Sequence, residues 1–408
     1  MNKKLINSIL FLLIFAFFYG CNDAPTQIGM GFLQDTASIN VIAGKDNSFF
    51  ASCSIYTVRS RLNVGGMLVG EAKNMQAASL IRFNIPDKRD SITEDKIAEC
   101  KLYIYPRNYA IGDLSADLLN FEIKEVTSRW DPESTTPEEV FDSNNLFKNG
   151  RTIDRWNRPL ERKDTMDALV FDFPKDLCAE WLEKSKDHGN FVDTVWGLAL
   201  MPQAGSTIIN NFVAYSGASE GSLLKVKFYK NSDGELDSLN IYSALDQKFV
   251  KLNEEISQDD LIIQGAVKIH SRITFDVSEI PELAIIHYVE LTLSVNEEES
   301  YFGNLDKAET ISLSLYLDME REVGGWTPDA IMTGKYNSID NTFNFKDVMY
   351  IPFNKFLRSD DRKGTLILSF EIGGVNELNY LDRYVFYGIN DADTSKRPKL
   401  KIVYSLVE

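Results

Sequence analysis

The sequence has few of the residue types and motifs with which enzymes most often carry out chemistry. It contains three histidines, which lie in different predicted elements, and four cysteines. It has no H-E-x-x-H zinc motif, no glycine-rich phosphate loop and no C-x-x-C pair. The 60 acidic residues are so numerous that any pair chosen from them as a glycosidase pair would be arbitrary. We therefore expect no catalytic residues and no enzymatic activity, and a carboxylate hydrolase ranks last among the functions considered.

Positive charge is also scarce. The chain has 43 lysines and arginines against 60 acidic residues, which gives a formal net charge of −17. A surface of this sign repels phosphate backbones. The composition therefore excludes nucleic acid as an expected partner.

The first residues have the features of an export signal. Lys3 and Lys4 precede an apolar run that is short for a membrane-spanning helix, and the run ends in "FFYGC". A small residue before a cysteine is typical of a bacterial lipoprotein signal, which predicts a signal peptide over residues 1–20 and lipidation of Cys21. Residues 21–35 would then form a polar tether. The alternatives are a plain secretory signal or a short anchor helix.

The chain reads as two similar halves. A predicted strand hairpin at 79–106 recurs at 271–295, and "SINVIAGKDNSFF" at 38–50 aligns with "SLNIYSALDQKFV" at 238–250, with Phe49 on Phe249. Within each block apolar residues alternate with polar ones, which predicts half-buried antiparallel strands. One helical pattern stands out, at 174–189.

These patterns predict an all-β protein of two tandem jelly-roll-like β-sandwich domains. The predicted domains are residues 36–230 and 235–408, and "KNSDGE" at 230–235 is the predicted linker. Apart from Cys21, the chain has three cysteines, at positions 53, 100 and 178, and they cannot all pair with one another. Of these, Cys100 continues the apolar alternation of its strand and is predicted to be a core residue.

The order of short blocks, among them "SLIRFNIP", "CKLYIY", "WDP" and "LKVKFY", with "RPKLKIVY" closing the second half, resembles the DNRLRE-domain family. That family has a jelly-roll β-sandwich fold related to an alginate-binding type of carbohydrate-binding module. The chain also resembles uncharacterised surface lipoproteins of glycan-foraging Gram-negative bacteria. The resemblance implies glycan binding or a structural spacer, no catalysis, and a lipid-anchored position in the outer membrane, at the cell surface. Arg82 matches an exposed arginine of the family, whereas Thr274 takes its place in the second half.

The strongest binding hypothesis from the residues concerns a basic segment at 147–164. It places Lys148, Arg151, Arg155, Arg158, Arg162 and Lys163 around Trp156. An indole offers a stacking face to a sugar ring, and guanidinium groups bind carboxylates and sulfates in a bidentate manner. The segment therefore predicts an anionic polysaccharide ligand at Trp156, Arg151, Arg155 and Arg158. In the alternative interpretation Trp156 anchors the segment to the sandwich and the arginines pair with nearby acidic residues.

Calcium is the only cofactor that the sequence suggests. Asp391 and Asp393 lie two residues apart in "NDADTS", as in an oxygen-rich site, but the glycine and the bidentate glutamate of an EF-hand loop are missing. The alternative is a solvated turn whose carboxylates bind its own backbone. The sequence as a whole predicts a non-catalytic surface lipoprotein that binds carbohydrate or belongs to a glycan-handling complex. The alternative is a structural or adhesive lipoprotein with a protein partner.

Overall fold

A computed structural model describes residues 39–43, 49–57, 66–86, 92–163, 166–185, 195–215, 221–230, 234–254, 261–316, 328–371 and 374–406. The predicted signal peptide, Cys21 and the predicted tether lie outside these residues. Within the described ranges, no helix combines the length and the apolar character that crossing a membrane requires.

Antiparallel strands dominate the described chain, which confirms the all-β prediction. The strands are β1 (Ile39–Ala43), β2 (Phe50–Thr57), β3 (Met67–Ala72), β4 (Met75–Phe83), β5 (Ile97–Ile104), β6 (Pro106–Gly112), β7 (Leu118–Glu125), β8 (Thr152–Pro159), β9 (Leu169–Asp172), β10 (Leu198–Pro202), β11 (Ile208–Phe212), β12 (Leu223–Tyr229), β13 (Leu236–Leu252), β14 (Leu261–Gln264), β15 (Ile269–Asp276), β16 (Ala284–Ser294), β17 (Thr310–Leu315), β18 (Ala330–Asn337), β19 (Thr342–Phe345), β20 (Lys363–Phe370), β21 (Arg383–Phe386) and β22 (Lys399–Leu406). The helices are α1 (Pro137–Phe141), α2 (Lys175–Lys184), α3 (Tyr350–Leu357) and α4 (Val375–Asn379), with short 3-10 turns at Glu94–Lys96 and Asn145–Phe147.

The strands form two hydrogen-bonded networks in a sandwich-like arrangement. The first follows the order β6-β11-β3-β4-β13-β12-β5-β9, with β10 pairing β4 and β7, and β8 pairing β7. The second follows the order β1-β22-β16-β19-β18-β17-β20-β15-β14-β21, with β2 pairing β15. Each network encloses a hydrophobic core of its own. We call them the first and the second sandwich.

Alternation along the strands places the core side chains as predicted. Ile81, Phe83 and Ile85 are buried in the first sandwich, and Phe275 is buried at the matching place in the second. The opposite face of β4 is also covered, because Leu80 packs in a second cluster with Trp130 and the α1 segment. Trp130 is buried in this cluster and donates its indole N–H to the Trp196 carbonyl at 2.9 Å.

In each sandwich one stretch of chain pairs with two strands, and in the first sandwich this stretch is a single strand. In the first sandwich this strand is β13, whose residues 236–242 pair with β12 and whose residues 243–252 pair with β4. In the second sandwich β1 pairs with β22, and β2 pairs with β15. β1 and β2 together therefore occupy the place that β13 occupies in the first sandwich.

This pairing corrects the predicted domain boundaries. Residues 39–57 were assigned to the first domain, but they complete the second sandwich, and β13 completes the first sandwich although it follows the predicted linker. The first sandwich spans residues 66–252, and the second combines residues 39–57 with residues 261–406. The prediction failed because alternation shows which side chains face inward but does not show which sheet a strand joins.

The structure also corrects the register of one aligned block. Phe50 lies opposite Phe275, whereas Ser243 lies opposite Phe83, the counterpart of Phe275. Phe50 therefore corresponds to Ser243, and the predicted alignment of Phe49 with Phe249 is out of register. The strand irregularities support this correspondence, because the pairing skips one residue after Phe50 and one residue after Ser243.

The predicted helix is confirmed as α2, which buries Leu177, Cys178, Trp181 and Leu182 as its spacing indicated. α3 was not predicted, and it occupies the matching place between β19 and β20. The Cys178 thiol forms a hydrogen bond with Cys100, and this bond together with burial raises the pKa of Cys100. The three described cysteines, at positions 53, 100 and 178, are free thiols.

Candidate functional site

A groove with a volume of about 710 Å³ lies on the outer face of the second sandwich. Its floor consists of polar side chains of three adjacent strands. Thr292 on β16 lies opposite Asn344 on β19 and opposite Lys399 on β22, and Ser294 lies opposite Thr342. All five line the groove. They face outward because their neighbours along each strand, such as Leu291 and Phe343, fill the core.

The floor side chains are connected by hydrogen bonds. The Thr292 hydroxyl donates to the Asn344 side-chain oxygen at 2.8 Å, and the Asn344 amide donates to the Thr342 hydroxyl at 3.1 Å. Each of these groups keeps further donor or acceptor capacity. The floor is therefore an ordered array of hydroxyl and amide groups.

The loop at 387–398, between β21 and β22, forms one wall of the groove. The Asp391 carboxylate accepts the N–H of Asp393 at 2.8 Å, and the Asp393 carboxylate accepts the N–H of Ser395 at 3.0 Å and its hydroxyl at 2.6 Å. The hydrogen bond from the Ser395 side chain is the main reason that the pKa of Asp393 is lowered. These turns fix Ser395 and Lys396 at the edge of the groove.

Tyr387 is the aromatic side chain of this wall. It is half-buried, and its hydroxyl accepts a hydrogen bond from the Lys396 ammonium at 3.1 Å, which raises the pKa of Lys396. The same ammonium lies 4.6 Å from the ring centroid. The groove therefore combines one aromatic ring with hydroxyl, amide and ammonium groups.

The far side of the groove is acidic. Glu297, Glu298 and Asp340 line it, across from Lys396 and Lys399. Charges of both signs thus surround the hydroxyl and amide groups of the floor. This arrangement suits a ligand rich in hydroxyl groups better than an apolar one, because an apolar ligand would leave the floor groups without partners.

A second groove, of about 750 Å³, lies beside the β3–β4 turn of the first sandwich, where Glu71, Lys73 and Asp113 line it. None of its described lining residues is aromatic. It offers polar contacts but no stacking surface, so it is the weaker candidate.

Trp156, predicted as a stacking platform, lies on β8 at the edge of the first sandwich. Its side chain packs against the core and makes an edge contact with Phe171, with ring centroids 6.2 Å apart. Its indole N–H donates to the Arg158 carbonyl at 2.9 Å, and the Arg158 guanidinium lies 3.9 Å from the ring centroid. One part of the ring is therefore anchored to the core, and a cation covers another.

The neighbouring basic residues divide into paired and unpaired groups. Arg151 binds Asp176 at 2.5 Å, and Arg155 lies 3.6 Å from Glu122. Arg158 has no carboxylate within 4.0 Å among the described residues. The structure thus brings Arg158 onto Trp156 and places Arg151 and Arg155 in ion pairs, while ligand binding at this segment stays a prediction.

Two further basic residues of the segment are also engaged in ion pairs. Arg162 binds Asp117 at 2.7 Å, and Lys163 binds Asp167 at 2.5 Å. These contacts match the alternative interpretation, in which surface charges of the segment pair with nearby acidic groups.

Arg82 is separate from both sites. It lies on β4 with its guanidinium 4.9 Å from the ring centroid of Trp196. Thr274, at the matching position of β15, shares a hydrogen bond of 2.9 Å with Thr365. The two halves therefore use this outward position for different contacts.

The predicted calcium ligands do not converge with other ligand types. In the ranges that the structure describes, no cluster of three or more histidine, cysteine, aspartate or glutamate side chains could hold a metal ion. Asp391 and Asp393 instead bind donors of their own loop, as the alternative interpretation expected. Calcium binding by this loop stays a prediction.

The sequence did not predict the groove, because no local pattern links Tyr387 to β16. The signal was present in the outward positions of β16, where Thr292 and Ser294 alternate with core residues. Those residues indicated a polar face but not that Tyr387, about 90 residues later, lies beside it.

The sequence contains one G-x-S-x-G pattern. Residues 217–221 read G-A-S-E-G, which matches the letters of the nucleophile elbow. That motif requires a strand, a sharp turn and then a helix, whereas residue 221 leads directly into β12. The element that follows therefore does not fit a nucleophile elbow.

Comparisons with known proteins add no family. No family model matches the chain, and no curated protein matches it. Among solved structures, the crystal structure of the infectious bursal disease virus VP2 subviral particle shares 10% identity with it, over 92% of this chain and 77% of that one, with a TM-score of 0.11. A score this low supports no argument about this chain.

Proposed function

We propose that the protein is a non-catalytic carbohydrate-binding protein and that the groove at Tyr387 is its binding site. The observation that carries the proposal is the position of this ring beside the hydroxyl and amide array of Thr292, Thr342 and Asn344. A sugar presents an apolar face to an aromatic ring and hydroxyl groups to polar side chains. The groove offers both kinds of partner at one place.

In this proposal the polar groups of the groove are preorganised for binding. The floor groups hold one another at fixed positions, so little conformational freedom is lost on binding. Lys396 covers the rim of Tyr387 and would have to move for a sugar ring to stack there. Lys399 and Lys396 would then be available to carboxylate or sulfate groups of an anionic polysaccharide.

The test is a glycan array followed by affinity measurement, using the full chain with Cys21 replaced by serine so that no lipid is attached. Replacing Tyr387 with alanine should weaken binding at least tenfold, since burying an aromatic side chain contributes about 1.5–3 kcal/mol and about 1.4 kcal/mol is a factor of ten. The matched control is Tyr229→Ala, because Tyr229 is 40% exposed and lies outside the groove.

One outcome would reject this function, and two others would reject its placement at the Tyr387 groove. Absence of binding to every polysaccharide tested would favour the structural or adhesive lipoprotein with a protein partner. Equal binding by the Tyr387→Ala variant and the parent would show that any glycan binds elsewhere. Binding that is lost only when Arg158 is changed would return the site to the β8 segment.

We further propose that the protein is attached through a lipid on Cys21 to the outer membrane and is displayed at the cell surface. The support is the sequence alone: two lysines, an apolar run and a small residue before the cysteine. Metabolic labelling with a radioactive fatty acid tests this. Label should enter the parent and not the Cys21→Ser variant, and protease treatment of intact cells should digest the protein.

A further inference from the structure

The second sandwich is completed by strands that come from the opposite end of the chain. β1 pairs with β22, from Ile39 opposite Ser405 to Ala43 opposite Lys401. β2 pairs with β15, and Thr57 lies opposite Ile269. Five strands separate β22 from β15 in the order of this network, so the terminal segment pairs with it at two distant places.

The segment also supplies side chains to the core. Phe49 and Phe50 are buried in the second core, and the Phe50 ring lies 5.4 Å from the ring of Phe275. Ile42 and Cys53 pack against the same core. The segment is therefore fixed by two kinds of contact: main-chain pairing with β22 and β15, and apolar side chains in the second core.

The first sandwich shows what the segment replaces. There β13 makes the equivalent connection and follows directly after β12 in the chain. In the second sandwich the strands at the equivalent place come from an earlier part of the chain, residues 39–57.

We propose that residues 39–57 are a separable donor segment and that the edges of β22 and β15 form a binding site for an extended peptide of this sequence. Strand addition of this kind draws affinity from main-chain hydrogen bonds and specificity from pockets for alternate side chains. Phe50 is the anchoring side chain here. The occupant of the site is the protein's own segment.

The test uses the full chain with a protease site inserted between Arg59 and Ser60, so that the protein folds before it is cut. After cleavage, the amino-terminal piece should still co-elute with the body. In urea the piece should dissociate as the second sandwich unfolds, and it should rebind when the urea is diluted. A labelled synthetic peptide of residues 39–57 should then exchange into the cut protein.

A variant peptide provides the specificity control. A Phe50→Asp peptide should compete at least tenfold more weakly than the parent peptide, whereas a Val41→Ala peptide should compete equally, because Val41 is 58% exposed. The proposal is overturned if the cut piece leaves under native conditions while the body unfolds at an unchanged urea concentration. The proposal is also overturned if the cut piece stays bound and neither the parent peptide nor the Val41→Ala peptide exchanges with it. Glycan binding is not measured in this experiment, so its result is independent of the proposed function.

Discussion

The Tyr109 hydroxyl donates a hydrogen bond to the Asp382 carboxylate at 2.8 Å, although Tyr109 belongs to β6 of the first sandwich and Asp382 precedes β21 of the second. The same hydroxyl accepts the N–H of Leu381 at 2.7 Å, and the Asp382 carboxylate also accepts the N–H of Gly303 at 2.8 Å. The ring of Tyr109 stacks on Tyr380, with centroids 4.2 Å apart. Tyr109 thus joins the two sandwiches through hydrogen bonds and through stacking.

Removing this hydroxyl should destabilise the protein without changing its shape. Tyr109→Phe leaves the buried Leu381 N–H without its partner and takes one donor from the Asp382 carboxylate, a change that costs about 1–3 kcal/mol. Urea unfolding should show a lower midpoint with an unchanged m-value. Tyr229→Phe, at an exposed tyrosine, should leave the midpoint unchanged. An unchanged midpoint for Tyr109→Phe would show that the bond adds nothing to stability.

A buried carboxyl on β13 should make stability depend on pH. Asp246 is 4% exposed, and burial raises its pKa from 3.8 to about 7, although its carboxylate accepts the N–H of Tyr215 at 2.5 Å. Between these two values the folded chain holds a proton that the unfolded chain has released. The contribution of Asp246 to the free energy of unfolding should therefore fall as pH rises from about 4 to about 7 and level off above that.

The Asp246→Asn variant isolates this effect, because it cannot titrate. His270 changes stability in the opposite direction, since burial lowers its pKa from 6.5 to about 3, so its contribution is lost as pH falls through that range. The measured quantity is therefore the difference in free energy of unfolding between parent and variant at each pH. This difference should decline between pH 4 and 7, and a flat difference would contradict the assignment to Asp246.

Local pattern was sufficient to predict which side chains of a strand face the core. The alternation around Phe83 and Phe275 predicted their burial, and the spacing of Leu177 and Trp181 predicted α2. α3 escaped prediction because it is only eight residues long and has a proline in its first turn. Short elements give too few turns for a period to stand out.

Contacts between residues that lie far apart in the sequence could not be predicted. The partners of Arg151 and Arg155 lie on α2 and β7, and nothing near these arginines in the sequence identifies them. The pairing of residues 39–57 with the second sandwich could not be predicted for the same reason. Both depend on which elements meet in space, which a single sequence with alternating side chains leaves undetermined.

The set of strands in each sandwich predicts which fragments of the chain fold on their own. A fragment of residues 66–252 contains every strand of the first sandwich, whereas a fragment of residues 36–230 lacks β13 and its core residues Leu239 and Ile241. The first should unfold cooperatively in urea, and the second should show no cooperative transition.

The matched control for this experiment is a fragment of residues 36–252. It adds β1 and β2, whose pairing partners are in the second sandwich, so its unfolding midpoint should equal that of the 66–252 fragment. A higher midpoint for 36–252, or a cooperative transition in 36–230, would show that the amino-terminal strands also stabilise the first sandwich.

The β8 segment allows a test of anionic polysaccharide binding that does not disturb the core. Trp156→Ala is unsuitable, because the ring packs against Phe171 and its loss would destabilise the sandwich. Arg158→Gln and Arg155→Gln remove the same charge, but Arg155 is paired with Glu122 and Arg158 covers Trp156 without a described carboxylate partner. If an anionic polysaccharide binds here, Arg158→Gln should reduce retention on a polyuronate column severalfold more than Arg155→Gln does. Equal losses would indicate that net charge alone matters, and no loss in either variant would remove this segment from the binding surface.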